Sequence, residues 1–261
     1  MHFFSFCLLC CIGLLLPVQG SILKITSEYQ QAKTIAKVYE KPLLLVFLGG
    51  AYLEESSTLL LKIKQKEFEK ELNGELGVFL TDLNFSLLIK EELKNYQELI
   101  DRYKVESFPS LILVDQNFDE ISRLESSGLS SKELAVELKK SVFDYRWILS
   151  MLENNHQQSI EDLYKKAASL GCQFLKNKIL DKAFESEIIT SDLKIERYLS
   201  MLRGGIESSV ILDFRNKYLI EECVKAPEVL DRISWIDFQF SVPLLDLEKS
   251  HLEKNKICLI Q

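Results

Sequence analysis

The unbroken apolar run from Leu43 to Leu48 constrains this chain more than any other stretch. Pro42 precedes it and Gly49-Gly50 closes it. A short run with no polar alternation suits a strand buried on both faces, which places helices on both sides of a sheet. Pro42 is tolerated there because the first residue of a strand need not donate to the ladder. After the glycines, Glu54-Glu55-Ser56-Ser57 leads into a helical pattern that extends through Phe68 and Leu72. The arrangement is a strand, a tight loop and a helix N-terminus pointing at that loop.

The flanking pattern repeats the theme. Ser27-Glu28-Tyr29-Gln30 has the spacing of a capping box, with Ala32, Ile35, Ala36 and Tyr39 on one helical face behind it. Gly77 to Leu83 reads as a second buried strand, Leu88 to Tyr103 as an amphipathic helix and Leu111 to Val114 as a third strand. Asp119 to Leu124 reads as an edge strand and Gly128 as a turn. Ser130-Ser131-Lys132-Glu133 then forms a further capping box before a closing helix.

Two separated motifs carry a resemblance. The loop after Leu43–Leu48 resembles the active-site segment of thioredoxin-like proteins, in the branch that runs Phe-Thr-Gly-x-x-Trp-Cys-x-x-Cys. Phe47, Gly49 and Tyr52 stand at the Phe, Gly and Trp, and the two cysteines fall on Leu53 and Ser56. No cysteine occurs between Ser21 and Gly171, so no shift of alignment restores them. Tyr103, Val105 and Pro109, with Ser110 in place of Thr, resemble the family's Tyr-x-Val-x-x-x-Pro-Thr, whose proline is cis. The resemblance covers about Ile22 to Ser141. It implies a thioredoxin-like α/β fold, a mixed sheet flanked by helices, with Phe108-Pro109 beside the altered loop.

Beyond Val142 the texture becomes helical throughout, with Trp147, Ile148, Met151 and Leu152 at helical spacing. Ser159-Ile160-Glu161-Asp162 has the form of a capping box for a helix ending near Gly171. Further patterns cover Phe174 to Phe184, Leu193 to Leu202, Val210 to Val224 and Val229 to Phe240. Tyr164 recurs as Tyr198 and Gly171 as Gly205, both 34 residues apart, which is a tetratricopeptide-like period without the rest of that pattern. Trp235, Phe238 and Phe240 read as the last helix docking on its own domain, with an exposed partner-binding patch as the alternative. The expected organisation is a signal peptide at 1–20, a thioredoxin-like domain at 21–141 and an all-α domain at 142–261.

Met1 to Gly20 carries no charged side chain except His2, and Phe3 to Val18 is nearly all apolar. That is the form of a secretory signal with Ser21 starting the mature chain, exported to a bacterial periplasm or secreted. A retained anchor is the alternative, although the run falls short of a span of ~20 residues. No stable membrane insertion is expected after cleavage. Cys172, Cys223 and Cys258 remain in the mature chain, none in a Cys-x-x-Cys. Packed apolar thiols are the expectation for them.

Composition removes several function classes. The formal net charge of −7 gives no basic stripe for a nucleic acid. His156 and His251 stand far apart, so no metal-ligand cluster is expected, and no cofactor loop occurs. Leu53 cannot ionise, and Ser56 is a poor nucleophile without a base, so a dithiol reaction at the helix end is not expected. Glu54 and Glu55 read as solvated first-turn carboxylates rather than acid/base catalysts.

What the resemblance implies is a non-enzymatic binding module for a polypeptide or protein partner. The implied peptide groove uses Tyr52, Leu53, Ser56, Phe108 and Pro109, with Leu53 and Phe108 making it apolar. Two alternatives stand beside it. One is a thiol–disulfide oxidoreductase or isomerase that brings Cys172, Cys223 or Cys258 to the groove. The other is a scaffold whose helical domain carries the protein–protein interaction.

Overall fold

The computed structural model of the chain describes residues 24–50, 53–82, 90–153, 159–187, 189–220, 222 and 227–240. The leader, Tyr52, Cys223, Cys258 and both late histidines lie outside the described residues. The described residues fall into two compact units, divided between Asp144 and Tyr145.

In the first unit, β1 (Ile25–Thr26) and α1 (Tyr29–Val38) precede the central strand β2 (Leu43–Leu48). Then follow α2 (Glu54–Ile63), α3 (Lys66–Leu72), β3 (Gly77–Asp82), α4 (Lys90–Tyr103), β4 (Ser110–Val114) and β5 (Glu120–Leu124). The helix α5 (Ser131–Glu153) runs on without interruption through Val142, where the sequence texture changes. The sheet order is β1-β3-β2-β4-β5. β3 pairs in parallel with β1 and β2, whereas β4 runs antiparallel to both β2 and β5. This mixed sheet with helices on both faces is a thioredoxin-like fold.

Every residue of β2 is buried, as its apolar sequence requires for a strand at the middle of a two-sided sheet. Leu43, Leu45 and Phe47 join Ala32 and Ala36 of α1 and Leu99 and Tyr103 of α4 in one core. Leu44, Val46 and Leu48 alternate onto the other face and are equally buried. There α2, α3 and α5 are tied together by the Ser131 hydroxyl on the Lys62 carbonyl (2.6 Å) and by the Lys139–Glu71 ion pair (3.3 Å). Inside the sheet, Thr81 Oγ1 donates to the Val46 carbonyl at 2.9 Å, so its buried hydroxyl is satisfied.

Local signals decide some helix ends and lose at others. At α5, Ser130 N–H donates to Glu133 Oε2 (2.8 Å) and Glu133 N–H donates to Ser130 Oγ (3.3 Å), the reciprocal capping box. The Ser130 hydroxyl and N–H hold the Glu133 carboxyl below its ordinary value. Stability from this group is therefore full above the ordinary glutamate range near ~4.3 and is lost as pH falls through the lowered folded value. Ser130→Ala removes the cap and is expected to cost ~1 kcal/mol, read as a lower urea midpoint for the first unit.

The box at Ser27-Gln30 does not form. α1 is capped at Glu28 without a side-chain bond, because Thr26 is drawn into β1 and its Oγ1 takes the Glu28 N–H at 3.0 Å. Likewise Ser159 precedes α6 (Ile160–Leu170) without a side-chain cap.

The second unit continues from α6 through α7 (Gln173–Glu185), α8 (Ser191–Arg203) and α9 (Ser208–Phe214), which runs into a π-helical turn, Arg215–Leu219. The helix α10 (Pro227–Gln239) opens on a proline at its first position, where a missing N–H is harmless. The recurrence at 34 residues has structural content. Tyr164 of α6 donates to Glu196 of α8 at 2.7 Å, and Tyr198 of α8 donates to Asp237 of α10 at 2.5 Å. Gly171 and Gly205, both left-handed, follow α6 and α8.

The core of this unit gathers Ile195, Tyr198, Met201, Ile211, Leu219, Val229, Ile233 and Ile236. One expectation is corrected here. Phe240 packs on that core, but Trp235 and Phe238 are 63% and 83% exposed, because the isoleucines at 233 and 236 take the inward face of α10.

Candidate functional site

The loop after β2 is held by its own residues. Gly49 N–H donates to Ser56 Oγ at 3.0 Å, and Leu53 N–H donates to the Gly50 carbonyl at 3.2 Å. Gly50 has φ of 96°, a conformation that glycine adopts without steric cost. Leu53 is the N-cap of α2 and offers no side-chain acceptor to the helix end. Its side chain lies instead over the α-carbon of Gly49. A Cβ placed on Gly49 would collide with Leu53 Cδ1 and would stand 2.8 Å from Phe108 Cβ. Gly49 is thus clasped between Leu53 and Phe108, the residue before Pro109. The Phe108–Pro109 peptide bond is cis.

Beside Pro109 lies a groove of about 560 Å³. Helix α2 lines one side with Glu54, Glu55, Thr58 and Lys62. Ser107, Pro109 and Ser110 form the floor, and Arg123, Leu124 and Glu125 come from β5 and the turn after it. Ser110 Oγ donates to the Ser107 carbonyl at 2.5 Å. Lys62 Nζ donates to the Ser126 carbonyl at 3.1 Å, and Arg123 Nε pairs with Glu120 at 2.7 Å. Among the described residues the N–H and C=O of Phe108 make no hydrogen bond.

The residues singled out from sequence divide. Pro109 lines the groove. Leu53 and Phe108 border it, with their side chains turned onto Gly49 rather than along its wall. Ser56 is displaced from the expected role: it is 2% exposed, its hydroxyl spent on the Gly49 N–H. Tyr52 lies outside the described residues.

The apolar wall expected from Leu53 and Phe108 is replaced by a mixed one. Glu54 and Glu55 are exposed first-turn residues as read, and they are also groove walls. Arg123, Leu124 and Glu125 were missed, because only the pairing of β5 with β4 brings them there. Their sequence carries no signal for it.

Ser56 Oγ accepts from the Gly49 N–H and is almost closed off from solvent, so it is poorly placed to act as a nucleophile. Cys172 is fully buried in the second unit, where its Sγ accepts from the Leu175 N–H at the start of α7 (3.5 Å). A thiol so enclosed is inert toward outside disulfides. Among the described residues no group of three His, Cys, Asp or Glu could hold a metal ion. No helix there is long and apolar enough to cross a membrane.

No family model and no curated protein matches the chain. Solved structures similar to it include the DsbH oxidoreductase, at 21% identity over 46% of this chain and 86% of that one, with a TM-score of 0.42. A thioredoxin from Thermus thermophilus is 19% identical over 46% of this chain and 86% of its own, with a TM-score of 0.36. A thioredoxin-fold protein from Helicobacter pylori is 20% identical over 56% and 86%, with a TM-score of 0.32. The fold assignment stands on the sheet order and strand directions described above.

Proposed function

We propose that the first unit is a redox-inactive thioredoxin-like binding module, exported from the cell, that holds an extended segment of a partner polypeptide in the groove beside Pro109. The observation that carries this reading is the main chain of Phe108, which has no hydrogen-bond partner among the described residues and is flanked by the groove residues Ser107 and Pro109. An extended segment laid there gains main-chain hydrogen bonds in the manner of an added strand. A buried or half-buried peptide group gains from finding a partner, since leaving it unpaired costs free energy. Leu53 supports the second half of the reading. It fills the cysteine position and closes on Gly49, so the helix end of α2 has no sulfur to activate.

The test uses the whole chain with accessible thiols blocked by iodoacetamide, and a reduced, carboxamidomethylated unfolded polypeptide as probe. Binding is expected to survive blocking, and amide exchange at Phe108 is expected to slow when the probe is bound. No binding, or binding with no change at Phe108, would overturn the groove. Reduction of insulin disulfides by the protein, abolished by iodoacetamide, would favour the oxidoreductase alternative instead.

A further inference from the structure

We infer that the segment held in this groove carries a basic side chain, lysine or arginine, seated against Glu54 and Glu55. This rests on the groove reading above and adds the chemistry of the occupant. Glu54 and Glu55 open α2, are exposed, and face the cavity wall with no ion pair among the described residues. First-turn carboxylates are commonly balanced by the helix end alone, which supplies roughly half a positive charge. Two adjacent carboxylates exceed that, so the end of the groove that they line stays negative.

The two cations of the wall do not correct the balance. Arg123 is neutralised by Glu120 at 2.7 Å, and its Nη2 also donates to the Tyr103 carbonyl. Lys62 is held on the Ser126 carbonyl at 3.1 Å. It brings one positive charge against the two negative charges of Glu54 and Glu55, so it offsets them only in part. Glu125 adds a further carboxylate to the opposite wall. The remaining polar side chains there, on Thr58, Ser107, Ser110, Ser126 and Ser127, carry neutral hydroxyls. A neutral extended segment would satisfy Phe108 and leave this charge unmatched, whereas a basic residue satisfies both.

The experiment compares three ten-residue peptides of one Thr/Val/Ala-rich sequence, with arginine, glutamine or glutamate at the centre, by fluorescence anisotropy on the full chain. The expected order of affinity is arginine, glutamine, glutamate. Arginine should exceed glutamine by about fivefold at low salt, as fits partly exposed ion pairs, and the gap should shrink as salt rises. The double substitution Glu54→Gln/Glu55→Gln should erase the preference and leave the glutamine peptide unchanged, while Lys62→Gln should leave the preference intact.

Equal binding of all three peptides overturns the charge inference with the groove reading standing. A preference that survives Glu54→Gln/Glu55→Gln overturns its assignment to these two residues. Failure of all three peptides to bind overturns the groove reading and the inference with it.

Discussion

Asp237→Ala is expected to destabilise the second unit by ~3–5 kcal/mol, which is a large part of the ~5–15 kcal/mol that holds a domain folded. Asp237 is 3% exposed and sits between Arg215 Nη2 at 2.6 Å and the Tyr198 hydroxyl at 2.5 Å. Removing it leaves a buried guanidinium and a buried hydroxyl without their acceptor. The chain's two tryptophans, Trp147 on α5 and Trp235 on α10, both belong to this unit, so their fluorescence follows its urea unfolding. With m near ~2 kcal/mol/M the midpoint should fall by about 2 M.

The pair is not an efficient source of stability, however. Among the described residues Arg215 Nε and Asn216 Oδ1 are buried without partners, and Arg215 is close to Asp237 Oδ2 without hydrogen-bond alignment. Burial pushes the Asp237 carboxyl above its ordinary value, and Tyr198 and Arg215 offset that only in part. An acid raised in the folded state holds its proton longer there than in the unfolded chain. Its contribution therefore falls as pH rises from ~3.9 through the raised folded value. An apolar replacement of both partners, Arg215→Met/Asp237→Leu, should accordingly return most of the lost stability. An Asp237→Ala variant within ~0.5 kcal/mol of the parent would refute this account of the core.

Gly49→Ala is expected to cost ~1–3 kcal/mol in the first unit, as overpacking in a filled site does. The new methyl meets two neighbours of different compliance. Leu53 Cδ1 is the far end of a flexible side chain and swings away at small cost. Phe108 Cβ, at 2.8 Å, is fixed to the backbone and moves only if the segment before Pro109 moves. Leu53→Ala in the Gly49→Ala background should therefore relieve only part of the damage, and the double variant should stay less stable than the parent. Amide exchange in β2 and β4 measures this without interference from the helical unit. Because the strain falls on Phe108, probe binding should weaken along with stability. A stable Gly49→Ala variant that binds normally would show that the clasp at Gly49 is loose.

The parts of the fold legible in sequence are those in which one residue decides its own neighbourhood. Pro42 and Gly49 bracket β2, and the strand begins and ends inside that bracket. Ser130 and Glu133 lie three residues apart on the chain and make the bonds that their spacing promises. Ser27 and Gln30 have the same spacing, but a distant strand, β3, recruits Thr26 into the sheet and moves the helix start. The break between α2 and α3 falls at Lys64-Gln65, where no glycine or proline announces it.

At the site, Pro109 was readable because it is a single residue in a motif, and it lines the groove. The polar wall was not, since Glu125 and Arg123 reach the groove only through strand pairing. Ser56 looked like a surface contact by its place in the motif. It is buried because the loop needed an acceptor for the Gly49 N–H.

The central claim is that the groove beside Pro109 binds extended chain with no help from sulfur. Amide exchange on the iodoacetamide-treated protein, with and without the carboxamidomethylated polypeptide, tests it most directly. Slowed exchange at Phe108, unchanged by blocking, is the predicted result. A covalent adduct between the untreated protein and a client through a disulfide, with no protection at Phe108, would contradict it.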